Sequence, residues 1–364
     1  MEPRDLNRMF DALAPTAEQE QAGLDRLLQK ERKVRPMKKL KKLTVVGIAA
    51  ALMVISCAAA VVTGIDQRLL DYFGASPQQA ELLVPGAVPV DVTVEDNGAS
   101  LHVSQVLMDR YNIMLVADFT APEGTILDLG RETDDIFCAF DSGSIGASVP
   151  DLLDQAGEPI PGVGGWGWRT VVLDDEDPLD HHLSLLFRLE LRDGIQPDWE
   201  IGGISLRNSD LVRYNPEPTV TTIYSGNWSC EVPVTWQDMG RSIRPNQAVG
   251  QLDSINITMT ELYLSPMTLR VQLESETPIP QKFGGGIGNR WTQLVNSDNV
   301  TLTTRNGEAI PLTDLGGSTG DQDKDWMFRL EKITSLEDLE GGTLNIRIEG
   351  GSVDIPLDNL VPAE

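Results

Sequence analysis

Val90-Asp91-Val92-Thr93-Val94-Glu95-Asp96-Asn97-Gly98-Ala99-Ser100-Leu101-His102-Val103 decides the fold. Valines alternate with polar residues up to Asp96, the period of a strand with one buried face. Asn97-Gly98 then supplies the pair that best tolerates positive φ in a two-residue hairpin turn. Leu101, Val103 and Val106 continue the partner strand, and residues 113–119 form a third after a break at 109–112. The pattern predicts an antiparallel meander buried on one face.

A similar phrase returns further along. Ser100-Leu101-His102-Val103-Ser104 resembles Ser254-Ile255-Asn256-Ile257-Thr258, and each leads through a short turn into an apolar strand, 113–119 or 267–273. This predicts a repeated β-sandwich of Ig-like form, with one domain over 85–243 and a second over 250–364, divided at the polar run Arg244-Pro245-Asn246-Gln247. Trp228 and Trp236, eight apart on one predicted strand face, belong to the core. Residues 326–333 and 343–348 read as closing strands, with Ser335 capping one helical turn between them. The 33 glycines and 22 prolines suit many short strands and turns.

Upstream, residues 43–65 carry no charge and follow Lys38, Lys39, Lys41 and Lys42. As a helix they extend about 34 Å, enough to cross the hydrocarbon of a bilayer. The basic flank keeps the N-terminus in the cytoplasm and sends the larger part outside. A cleaved signal peptide ending at Ala58-Ala59-Ala60 and a lipid-modified Cys57 both fit less well. The apolar run starts too late for the first, and Val54-Ile55-Ser56 makes a poor lipobox for the second. Residues 66–84 read as a juxtamembrane helix, with Tyr72 and Phe73 at headgroup level.

Charge divides at the same point. Of 29 Lys+Arg and 55 Asp+Glu, eleven and seven fall in residues 1–42, leaving 18 against 48 beyond. An acidic surface of that kind disfavours nucleic acid and anionic lipid as partners of the outer part. Within residues 1–42, Leu6, Met9, Phe10 and Leu13 share one helical face, Pro15 ends that helix, and Thr16 with Gln19 opens a second that carries Leu24, Leu27 and Leu28. Two helices this short are marginal alone, so these apolar residues are the candidate contacts for a cytoplasmic partner. A loosely ordered topogenic tail is the competing reading.

No nucleophile elbow, zinc-protease helix or phosphate loop is present, and the chain is expected to be no enzyme and to need no cofactor or metal. Two acidic clusters were weighed as metal sites. Asp174 to His182 reads as a solvated loop, and the run Asp321, Asp323, Asp325 lacks the glycine and the closing glutamate of a calcium loop. Gly164-Gly165-Trp166-Gly167-Trp168 places Trp166 and Trp168 in a glycine-rich loop, where they are candidates for stacking on a ligand of the cell envelope. Cys138 and Cys230 remain open as a disulfide or as two buried thiols.

Met9-Phe10-Asp11-Ala12-Leu13-Ala14-Pro15-Thr16-Ala17-Glu18-Gln19, the basic membrane anchor, Val92 to Leu101, and Gly226-Asn227-Trp228-Ser229-Cys230-Glu231-Val232-Pro233-Val234 together resemble a Gram-positive bacterial family. Its members are membrane proteins built around a domain of unknown function and are grouped with regulators of extracytoplasmic-function sigma factors. The resemblance implies an anti-sigma-like envelope sensor, with residues 1–42 meeting a sigma factor inside and the β-domains exported. An anchored adhesion or wall-binding module without a signalling role is the alternative.

Overall fold

The computed structural model describes residues 64–129, 135–136, 140, 150–163, 165–173, 180–214, 220–252, 254–279, 296–348, 351–358 and 360–362. They are mainly β, in several antiparallel sheets. Two short helices, α1 (Gln67–Phe73) and α2 (Pro77–Ala80), precede β1 (Ala87–Asp96), β2 (Ala99–Met108), β3 (Asn112–Thr120), β4 (Asp135–Ile136), β5 (Asp151–Asp154), β6 (Gly165–Val172), β7 (His182–Leu191), β8 (Ile201–Leu206), β9 (Leu211–Tyr214), β10 (Val220–Tyr224) and β11 (Cys230–Pro233). β12 (Arg241–Ile243), β13 (Gln247–Leu252), β14 (Ile255–Leu264), β15 (Thr268–Ser275), β16 (Val300–Thr303), β17 (Ala309–Ile310), β18 (Leu312–Thr319) and β19 (Asp323–Leu330) follow. A helical turn α3 (Leu336–Leu339), β20 (Thr343–Ile348), β21 (Gly351–Pro356) and β22 (Val361–Pro362) complete the order.

The β1–β2 turn has Asn97 at φ 48° and Gly98 at φ 81°, the geometry its two residues favour. The larger sheet of the first half runs β1-β2-β3-β7-β6-β4, and a smaller one runs β11-β8-β5. Leu101, Leu115 and Phe187 of the first share one core with Leu152, Ile204 and Val232 of the second. Trp228 lies at the centre of that core, fully buried, its ring centroid 4.8 Å from that of Phe119 and its indole N–H donating to Ala99 O at 3.3 Å.

The same strand order recurs. β14, β15, β19 and β18 are neighbours as β2, β3, β7 and β6 are, and β16-β20-β21 forms the facing sheet over a second core that includes Ile257, Leu302 and Ile346. Across β2–β3 and β14–β15 equivalent residues are 156 apart, a separation shown by Asp109 with Ser265 and by Asn112 with Thr268. Both long strands carry a bulge at the same place, between Val103 and Gln105 in β2 and between Met259 and Glu261 in β14. Each bulge absorbs one residue and reverses the side-chain parity, so Val106 and Leu262 still point inward. The phrase pairing Ser100 with Ser254 is therefore two residues out of structural register.

Three expectations need correction. The segment 66–84 is not one helix: α1 ends at Gly74 in the left-handed conformation, φ 58°. α2 then starts afresh from Ser76, whose hydroxyl and Gln79 form a capping box. Leu69, Leu70 and Phe73 are buried against the outer face of the first sheet, with Leu107, Met114, Val116 and Leu186, so that sheet is covered on both faces there. Finally, Arg241–Ile243, assigned by sequence to the end of the first domain, pairs with β14 and so belongs to the second large sheet. Ile65, the last residue of the apolar stretch, is 1% exposed and packs in the same layer as Leu69. Among the described residues no helix is long and apolar enough to cross a membrane; residues 43–63 lie outside them.

Candidate functional site

A pocket of about 510 Å³ opens where α1 meets the two large sheets. Its polar lining is dominated by Arg68 of α1, Arg169 of β6, Arg188 of β7 and Arg329 of β19, joined by Tyr72. Val171, Leu173 and Leu315 provide apolar wall. Four guanidinium groups in one cavity stand out in a chain with a formal net charge of −26.

Local chemistry explains how each is placed. β7 reads Phe187-Arg188-Leu189-Glu190, so Phe187 and Leu189 enter the first core while Arg188 and Glu190 point to the outer face. β19 repeats the phrase as Phe328-Arg329-Leu330, followed by Glu331, and sends Phe328 and Leu330 into the second core. Both arginines donate to the Tyr72 hydroxyl oxygen, Arg188 at 3.0 Å. The Arg329 guanidinium also lies over the Tyr72 ring, 4.9 Å from its centroid. One phenol of α1 thus joins the two halves of the β region.

Arg68 secures the helix on its other side. It bonds Asp66 at 2.8 Å, Asp118 of β3, and the Ser184 hydroxyl of β7 at 3.0 Å. Burial opposes ionisation of Asp118, yet His182, Arg68 and Ser184 outweigh it and hold the carboxyl well below the usual range. Two to four residues before Arg68 the chain is clamped by Gln105, itself 3% exposed: its amide donates to Gly64 O and accepts from Asp66 N, both at 2.7 Å.

A second cluster, beside the pocket, seals the junction of the halves. The Asp109 carboxylate is fully buried and accepts from Tyr111 N and Asn112 N, each at 2.8 Å, from Ser265 Oγ at 2.7 Å and from Thr268 Oγ1 at 2.6 Å. Arg270 lies 4.4 Å over the Tyr111 ring and pairs with Asp325. Burial raises the Asp325 carboxyl to about 6, with Arg270 opposing.

The residues singled out from sequence fall elsewhere. Leu6, Met9, Phe10, Leu13, Leu24, Leu27 and Leu28 lie outside the described residues, as does Cys138. Cys230 is a half-buried free thiol that burial pushes up to about 11. Trp166 and Trp168 belong to β6 rather than to a loop, with Trp168 opposite Leu189. Among the described residues no three His, Cys, Asp or Glu gather as metal ligands. Asp325, third of the acidic run considered for calcium, is buried and pairs with Arg270 on the face of the sheet opposite the second core. None of the arginines was signalled by composition; the twice-used phrase Phe-Arg-Leu-Glu was the available clue.

No family model matches this chain, and no curated protein matches it. A solved structure described as a conserved domain protein from Bacillus anthracis is 16% identical, spans 73% of this chain and 80% of its own, and superposes with a TM-score of 0.40.

Proposed function

We propose that this chain is a non-enzymatic envelope sensor, anchored by residues 43–65 with its N-terminus in the cytoplasm, its β region exported as two Ig-like sandwiches, and residues 1–42 contacting a cytoplasmic regulator of the sigma-factor class. The observation that carries the reading is the attachment of residues 64–73. This segment begins with the last two residues of the apolar stretch, and it is no slack tether. Gln105 holds its backbone, Arg68 fastens it to β3 and β7, and Tyr72 reaches both halves. A displacement of one half against the other would strain the bonds of Arg188 and Arg329 to Tyr72. The shared strand order and the two separate cores support the two-sandwich reading.

The test is affinity capture of the tagged full-length chain from membranes, beside a variant with Phe10, Leu13, Leu24 and Leu28 changed to Ser. Recovery of a sigma factor with the unaltered chain alone is the expected result. Equal recovery from both, or none from either, removes the signalling role and leaves an anchored adhesion module.

A further inference from the structure

We propose that the arginine-lined pocket is a binding site for a small organic anion presenting carboxylate or phosphoryl oxygens. Arg188 carries a donor that no acid among the described residues uses. The carboxylates that pair with Arg68 and Arg188, namely Asp66, Asp118 and Glu190, are not part of the pocket's lining. Among the described residues two acids line it, and each is engaged: Asp71 accepts from Gln67 at 2.8 Å, and Asp314 accepts from the Trp326 indole at 2.8 Å and from Ser297.

Arg188 makes the strongest case. It is 6% exposed, and its Nε has no hydrogen-bond partner among the described residues. A guanidinium taken out of water with a donor unspent is costly unless an acceptor arrives. Its Nη1 and that of Arg329 converge on one phenol oxygen, whereas the planar guanidinium fork is suited to the paired oxygens of a carboxylate or phosphoryl group. The volume falls within the range of small-molecule sites, and Val171, Leu173 and Leu315 offer cover for a short carbon skeleton. This site does not depend on the sensor reading: an anion bound by a chain that captures no cytoplasmic partner keeps the one and removes the other.

The experiment is titration calorimetry on the full-length chain in neutral detergent with citrate, with glycerol 3-phosphate, and with glycerol as the uncharged control. Saturable one-to-one binding of at least one anion, absent for glycerol, is expected, and which anion binds separates the carboxylate from the phosphoryl source. Arg329→Gln and the exposed Arg169→Gln are each expected to weaken it at least tenfold, with circular dichroism confirming folding. Should Arg329→Gln fail to fold, Arg169→Gln decides alone. Lack of saturable binding by both anions, or binding that the folded variants leave unchanged, overturns the proposal.

Discussion

Ser265 donates its hydroxyl to the Asp109 carboxylate at 2.7 Å, and these two residues occupy the same position in successive hairpins. Asp109 N bonds Asn112 O at 3.0 Å, and Ser265 N bonds Thr268 O at 2.9 Å. Each side chain then accepts from the backbone N–H groups two and three residues on. Asn112 and Thr268, the next equivalent pair, also touch, at 2.9 Å. Counterparts meeting counterparts is the mark of a local two-fold relation, and it sets the two large sheets side by side beneath α1.

Removing the acceptor should loosen this junction. Asp109→Ala leaves two hydroxyls and two backbone N–H groups unpaired in a dry setting, an expected loss of about 3 kcal/mol. Asp109→Asn keeps one acceptor oxygen and should lose about 1 kcal/mol. Urea unfolding followed by tryptophan fluorescence checks both, and equal losses would contradict the bonding described.

Asp118 should contribute to acid sensitivity. Its folded value lies below that of an unfolded carboxyl, so its stabilisation is present above about pH 4 and is lost as pH falls toward the folded value. Asp118→Asn is expected to cost about 2 kcal/mol at pH 7, with the gap to the native chain closing below about pH 4. Thermal melts across pH 2 to 7 provide the comparison.

Lys324 is a buried cation at a cost. It is 0% exposed on the inner face of β19, 4.1 Å over the Trp326 ring, and its ammonium has no hydrogen-bond partner among the described residues. Burial lowers it to about 8, with Asp314 and Asp325 opposing. Lys324→Met should therefore stabilise by about 2 kcal/mol at pH 7, after allowing for the lost cation–π contact. The folded value is depressed, so the native chain gains stability as pH rises from about 8 to about 10, and the advantage of the variant shrinks there. Urea midpoints at pH 7 and pH 10 measure it.

Gln105→Ala should free the entry to α1. Two hydrogen bonds to the backbone of Gly64 and Asp66 disappear, and at about 1 kcal/mol each, amide exchange through residues 66–73 should quicken about tenfold or more. Exchange in β3 is expected to stay unchanged; a uniform increase would point to global destabilisation instead.

The β character was legible because alternation and an Asn-Gly turn act locally: Val92, Val94, Asn97 and Gly98 need only their neighbours to declare a hairpin. The burial of β3 on both faces was less legible, since it depends on α1, whose Leu69 and Phe73 read equally well as membrane-facing. The single helix predicted over 66–84 failed at Gly74, where glycine in the left-handed region stops a helix that hydrophobic spacing alone would continue. The pocket was hidden for a different reason. Arg68, Arg169, Arg188 and Arg329 are scattered over more than 250 residues: the pairing of β7 with β6 sets Arg188 opposite Arg169, while the docking of α1 brings Arg68 and the meeting of the two large sheets brings Arg329. The repeated Phe-Arg-Leu-Glu gave the outward face of each arginine but not its destination.

The contact between Asp109 and Ser265 has a meaning for how such a region can be assembled. Two separate identical chains meeting about an axis would have to place the same residue on both sides. Asp against Asp sets two buried negative charges in repulsion, and Ser against Ser leaves the backbone donors around them with weaker acceptors. Carrying both halves in one chain lifts that restriction, so one side can specialise as acceptor and the other as donor. The bond at the centre of this molecule is therefore of a kind that strict symmetry forbids.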